Sequence, residues 1–197
     1  MTASVQVLIL GLLLGGVYAL MASGLTLLFG VMRVVNLAHA AFIVLAAFLS
    51  FFLWEGLGID PLVSLVVTVP VFFVFGMAIY RLVFPRIEGS PRFTEMTVLM
   101  TFGFAFIAEG LMSYFFTGIF RQTKPPYAQD AILLGPLYVP TGQLYAAITS
   151  IVLLVALWAF LKYTRTGYGV RATMQNRDAA QLVGVDVRAA NTDEPLK

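Results

Sequence analysis

The first 54 residues carry a single charge. Residues 1–32 contain no Asp, Glu, Lys or Arg, residues 34–54 contain none either, and only Arg33 separates the two runs. A water-facing surface cannot be built from such stretches. The hydrocarbon core of a bilayer, about 30 Å thick, is crossed by roughly 20 apolar helical residues, so the opening of this chain predicts two membrane spans. The rest of the composition agrees. Of 197 residues, 60% are hydrophobic and 11% charged, whereas a soluble domain carries about 25% charge. A soluble enzyme, a disordered chain and a nucleic-acid-binding domain are excluded together.

Five apolar segments are long enough to span: residues 5–29, 34–54, 62–80, 97–116 and 143–161. None alternates in the manner of a barrel strand, and helices satisfy their own backbone where lipid offers no partner. The expected fold class is therefore all-α, a polytopic helical membrane protein of about five transmembrane helices. Pro70 is expected to kink the third span. Ten of the twelve Lys and Arg residues fall on one side if the segment after Leu161 is cytoplasmic, leaving Arg121 and Lys124 opposite. The positive-inside rule then predicts an external N-terminus and an internal C-terminus. It also accounts for the net charge of +2 without an anionic partner such as nucleic acid. The Pro-rich loop Phe120–Gly142 is expected outside, over the span ends.

Few side chains in this chain carry chemistry. There is no cysteine and one histidine, so no disulfide, thiolate or ordinary zinc site is expected, and no cofactor. Gly11 and Gly15 stand four apart on the first span, a spacing that lets helix backbones approach closely; ordinary helix packing and the wall of a pathway both fit. Gly24 and Gly30 are expected to let the chain reverse before Arg33. Asn36 and His39, three apart, are expected to share one helix face, where they either line a passage or bond to each other and to nearby carbonyls. Glu109 is the one acid well inside a span. It is read either as a packed, satisfied carboxyl or as a proton-coupling group.

Two nucleotide patterns fail on context. Gly167-Tyr-Gly169-Val-Arg-Ala172 matches G-x-G-x-x-A, yet it follows a membrane helix and not the strand that a dinucleotide site requires. No lysine is preceded by glycine, so no phosphate-binding P-loop is present. Instead, residues 162–190 read as two short cytoplasmic helices. Thr166 is expected to cap the first, which runs to about Gln175, and Asn176 or Asp178 to start the second, which Gly184 would end in a left-handed turn. Arg171 and Arg177 with small apolar neighbours suit docking into a groove of a partner, and a solvated basic loop facing lipid headgroups fits the same periodicity.

These residues also carry a resemblance. Gly15-Gly-Val-Tyr-Ala-Leu, Gly24-Leu-Thr-Leu-Leu-Phe-Gly-Val-Met-Arg33 and Val35-Asn-Leu-Ala-His39 resemble the opening of the branched-chain amino acid ABC transporter permeases of the LivH type, which include urea-transporter relatives. Thr166-Gly-Tyr-Gly-Val-Arg-Ala172, with Asp178-Ala-Ala and Leu182-Val-Gly-Val-Asp186, resembles their cytoplasmic coupling loop. His39-Ala40-Ala41-Phe42 is similar to the companion LivM-type subunit. The resemblance covers residues 8 to 190 and implies a permease domain over 1–161, a coupling loop over 162–190 and a tail over 191–197. Family members continue into further spans, so a C-terminally truncated chain is expected.

The resemblance implies a non-enzymatic permease subunit of a bacterial ABC importer in the inner membrane. Its implied partners are ABC ATPase subunits, a second permease subunit, a periplasmic solute-binding protein and the lipid bilayer. Asn36 and His39 become pathway candidates, and Arg171, Ala172, Ala179 and Gly184 candidates for coupling to the ATPase. A proton-coupled secondary transporter using Glu109 and a non-transporting truncated remnant are the alternatives.

Overall fold

The computed structural model of the protein describes residues 2–87, 90–116 and 121–176. Five helices in it are long and apolar enough to cross a membrane: α1 (Thr2–Met32), α2 (His39–Leu57), α3 (Leu65–Val83), α4 (Phe93–Phe116) and α6 (Thr141–Tyr163). Between α4 and α6 lie a short helix, α5 (Pro126–Gln129), and two strands, β1 (Ala131–Leu134) and β2 (Leu137–Pro140). The final described helix is α7 (Arg165–Gln175). Three of the spans, α1, α4 and α6, are longer than apolar runs alone suggest, because these helices continue through polar residues at their ends. α1 has 31 residues, about 46 Å at 1.5 Å per residue, more than the hydrocarbon thickness. α3 runs on through Pro70.

The chain divides into two compact units, one formed by residues up to Arg33 with those from Tyr127 onward, the other by Val34–Pro126. In the first, α1 packs along α6 and α7 packs on both. Gly16 is the glycine that makes the α1–α6 approach: a Cβ built there would lie 3.9 Å from the Ala147 backbone, and Ala147 and Ser150 form the buried stripe of α6. Gly11 and Gly15, singled out by their spacing, face open space instead. Spacing marks a small-residue pair without saying which side of the helix meets a neighbour.

The segment expected as a Pro-rich loop contains an antiparallel hairpin, with Ala131 opposite Pro140 and Leu134 opposite Leu137. Gly135, at φ 63°, opens its two-residue turn, the place where a tight hairpin needs positive φ. The edge of β2 is held by a side chain. Gln6 on α1 donates from Nε2 to the Tyr138 carbonyl and accepts the Tyr138 N–H at 2.9 Å through Oε1.

In the second unit, α2 packs against α3 and α4. α2 ends in a Schellman-type turn, with Gly58 at φ 67° and the N–H groups of Gly58 and Ile59 returned to the carbonyls of Trp54 and Leu53. Ser50 on α2 meets Ser64 at 2.6 Å between hydroxyl oxygens, and Phe48 stacks on Phe116 at 4.7 Å between ring centres. Such hydroxyl contacts join helices that the hydrophobic effect alone cannot, since lipid tails are as apolar as leucine.

Candidate functional site: a broken segment and a docked amphipathic helix

The uncharged run starting at Val34 reads as one span, and the structure corrects this. Residues 33–38 are not helical, and α2 begins only at His39. Asn36 therefore lies ahead of the helix, and Asn36 and His39 do not share a helix face. The Asn36 side chain folds into a local turn, its Oδ1 accepting the Ala38 N–H at 3.1 Å, a known alternative to the helix for Asn. The His39 N–H reaches the Asn36 carbonyl at 3.4 Å. The two residues stay neighbours, both half-buried, through a turn and not through helical periodicity.

The reversal also differs from expectation. α1 continues through Gly24 and Gly30, and the chain turns at Arg33, whose φ of 54° is the one positive value at a non-glycine among the described residues. An arginine in the left-handed region costs of order 1–2 kcal/mol and persists only where its surroundings hold it. The next residues are held firmly. Val34 and Ala38 are completely buried.

What holds them is Thr101. Its hydroxyl accepts the Leu37 N–H at 3.2 Å and lies 3.1 Å from the carbonyl oxygens of Val35 and Val98, to which it donates. Thr101 stands about 12 Å along α4 from Phe93 at helical rise. Unwound backbone at membrane depth is tolerated only where protein satisfies it, and one side-chain hydroxyl does so here from 64 residues away. Thr97, fully buried one turn earlier, returns its own hydroxyl to Thr94 at 2.8 Å. The sequence reading missed both threonines. The available signal was two hydroxyls four apart in an apolar span. Beside the broken segment, Leu37, Thr94, Glu95, Val98, Leu99 and Phe102 line an open, almost wholly apolar groove of about 570 Å³.

Glu109 is exposed on α4, away from this site.

The second feature is α7. It is the most amphipathic of the described helices, and its cap is Thr164 and not Thr166. Thr164 has extended backbone, and its Oγ1 accepts the Gly167 N–H at 3.0 Å, the arrangement an N-cap requires. The helix starts two residues earlier than expected because α6 ends at Tyr163 without a spacer. Gly167 explains its own presence in the pattern dismissed above. A Cβ there would lie 2.5 Å from the carbonyl oxygens of Phe160 and Leu161, so α7 presses its first turn onto the end of α6. Arg171 is exposed, with its guanidinium 4.6 Å from the Tyr168 ring centre and 3.5 Å from the Lys162 carbonyl. Ala172 is half-buried beside it. Ala179 and Gly184 lie outside the described residues.

Five apolar helices, unwound backbone satisfied from another helix and an amphipathic helix folded onto the span ends define a multi-pass helical membrane protein. Sequence comparison defines it further. The family described as "Branched-chain amino acid transport system / permease component" matches residues 7–191, and the chain belongs to that family. It is 23% identical, over 94% of its length, to the high-affinity branched-chain amino acid transport system permease protein LivH of Salmonella typhimurium, of which it covers 62%. The Escherichia coli LivH protein is similar to the same degree. The probable LivH of Methanocaldococcus jannaschii is 28% identical over 85% of this chain and 54% of its own length. The chain thus spans between about half and two thirds of these relatives. No solved structure matches it significantly.

Proposed function

We propose that the chain is a permease subunit of an ATP-driven importer in a bacterial inner membrane, carrying branched-chain amino acids or a related small polar solute. The observation that carries this reading is the family match across residues 7–191. α7 supports it: an exposed basic helix seated on two span ends is a contact through which a separate ATPase can act. In this reading the N-terminus is external, the segment after α6 is cytoplasmic, and a periplasmic binding protein delivers the solute. A second permease subunit is supported by the exposed faces of Gly11, Gly15 and Glu109. A carboxyl in hydrocarbon costs about 2.5–3.5 kcal/mol on insertion scales and calls for cover from another protein surface. Asn36 and His39 are the residues proposed for the pathway, and Arg171, Ala172, Ala179 and Gly184 those proposed for coupling to the ATPase.

The test is reconstitution with the ATPase and binding-protein subunits in proteoliposomes. Radiolabelled leucine should accumulate only with ATP inside the compartment that holds the ATPases. Arg171→Glu should lower substrate-stimulated ATP hydrolysis and uptake together while leaving the chain in the membrane. Unchanged values in this variant would remove α7 from the ATPase contact.

Glu109→Gln should leave that uptake within about twofold, since glutamine keeps the size of the side chain and its capacity for hydrogen bonds and loses only the charge, and an interhelical hydrogen bond in lipid is worth about 0.6 kcal/mol on average. Uptake that collapses, and in the unaltered protein depends on external pH, would favour a proton-coupled carrier.

A further inference from the structure

The end of α1 and the last turn of α7 meet at one close contact. A Cβ built on Gly30 would lie 2.6 Å from Met174 Cε, 3.2 Å from its Cγ and 3.5 Å from its sulfur. The space above Gly30 is therefore filled by the methionine thioether. Met174 stands in the last turn of α7, whose first turn is fixed on α6 by the Thr164 cap and by Gly167. Thr173, beside it, is 4% exposed, with its hydroxyl returned to the Gly169 carbonyl at 2.9 Å. α7 is thus held at both ends, on α6 at its start and on α1 at its finish. Three residues beyond Gly30 the chain passes through Arg33 at positive φ into the segment of Asn36 and His39.

We propose that Met174 seated on Gly30 is the transmission contact of the permease: it passes displacement of α7 to the end of α1, and through the backbone at Arg33 to the broken segment. The proposal rests on the permease reading and adds to it the positioning residues that link ATPase to pathway. The physical case is one of stiffness. A helix is rigid along its axis, so a push on α7 must appear at its far end, where the side chain found is Met174. Gly30 offers it backbone with no side chain between, so the methionine bears on the helix itself. Three places on, Arg33 at positive φ joins α1 to backbone that is itself held, with Val34 and Ala38 completely buried.

The contact predicts a size rule. Gly30→Ala should be absorbed by the flexible end of the methionine. Gly30→Leu should occupy the seat and displace α7, and Met174→Ala should leave the seat empty. Combining the two should refill it, leucine taking the space the thioether gave up. In the reconstituted complex, each of the two single variants should lower uptake per ATP hydrolysed by at least about fivefold, the low end of usual site-to-site coupling. Basal ATP hydrolysis should hold, and the double variant should recover coupling. A loss caused by poor folding would lower both activities and the amount of chain in the membrane, and would not be rescued.

A second measurement reads the contact itself. The chain has no native cysteine, and the 3.2 Å from the built Gly30 Cβ to Met174 Cγ is short enough for thiols at both positions to pair. Gly30→Cys with Met174→Cys, treated with a mild oxidant, should form an intramolecular disulfide that joins the last turn of α7 to the end of α1. Absence of the cross-link overturns the proposal. Coupling that is unaffected in both single variants does so as well. If the unaltered complex shows no ATP-driven uptake, the permease reading fails, and the transmission contact falls with it.

Discussion

Replacing Thr101 by Val should loosen the unwound segment between α1 and α2 while leaving the five spans intact. Valine has nearly the shape of threonine and no hydroxyl. The Leu37 N–H and the Val35 carbonyl would then lose the group that satisfies them. A buried polar group left without a partner costs about 1–3 kcal/mol, and this site loses one donor and one acceptor in surroundings where water cannot substitute freely. Thr101→Ser keeps the oxygen and should behave nearly as the unaltered protein. Amide hydrogen exchange over residues 34–38 in detergent or nanodiscs reads the difference. Each 1.4 kcal/mol corresponds to about a tenfold change in the open population, so exchange in the valine variant should rise by tenfold or more. If valine and serine give the same protection, the hydroxyl does not hold the segment. Uptake should follow the same order, because Asn36 and His39 lie on the backbone that Thr101 fixes.

Gly167 is the second position where a small change should have a large effect. Even alanine would place a Cβ 2.5 Å from two carbonyl oxygens and 2.6 Å from the Leu161 Cα. These atoms belong to the backbone of α6 and cannot swing aside as the end of a methionine can. Overpacking of this kind typically costs about 1–3 kcal/mol. Displacement of the first turn would also break the Thr164 cap, worth about 1 kcal/mol. Gly167→Ala should therefore release α7 from α6, exposing residues 165–176 to limited proteolysis, and in the proposed importer it should uncouple ATP hydrolysis from uptake. Gly103→Ala is the control. A Cβ at Gly103 meets nothing within 4 Å, and alanine is the better helix former by about 1 kcal/mol. Equal proteolysis of the two variants would show that α7 does not depend on the close approach at Gly167.

Both predictions turn on contacts that join residues far apart in the chain or at the junction of two helices, and here the sequence stopped being informative. The five spans were legible because membrane insertion is decided locally: twenty apolar residues prefer hydrocarbon whatever follows them. The LivH-type likeness was legible because its two motif blocks lie in continuous stretches, and the family match bears it out. The hairpin of β1 and β2 was not foreseen, since a loop with four prolines gives a weak strand signal and Gln6 holds its edge from 132 residues away.

The amino-acid sequence by itself determined that this is an all-α polytopic membrane chain with an amphipathic segment after its last apolar span. Those properties follow from composition and short-range periodicity. Tertiary structure alone decided where the second span begins, which glycines meet a neighbour, and what Asn36 does. The uncharged run from Val34 is long enough for one span, yet Thr101 offers the backbone an alternative partner and the helix waits until His39. Gly11 and Gly15 have the spacing of a packing motif, whereas Gly16 and Gly30 have the neighbours. The physical reason is common to all three. A helix presents every side of itself to the sequence equally, and only the arrival of a second helix chooses the side that counts.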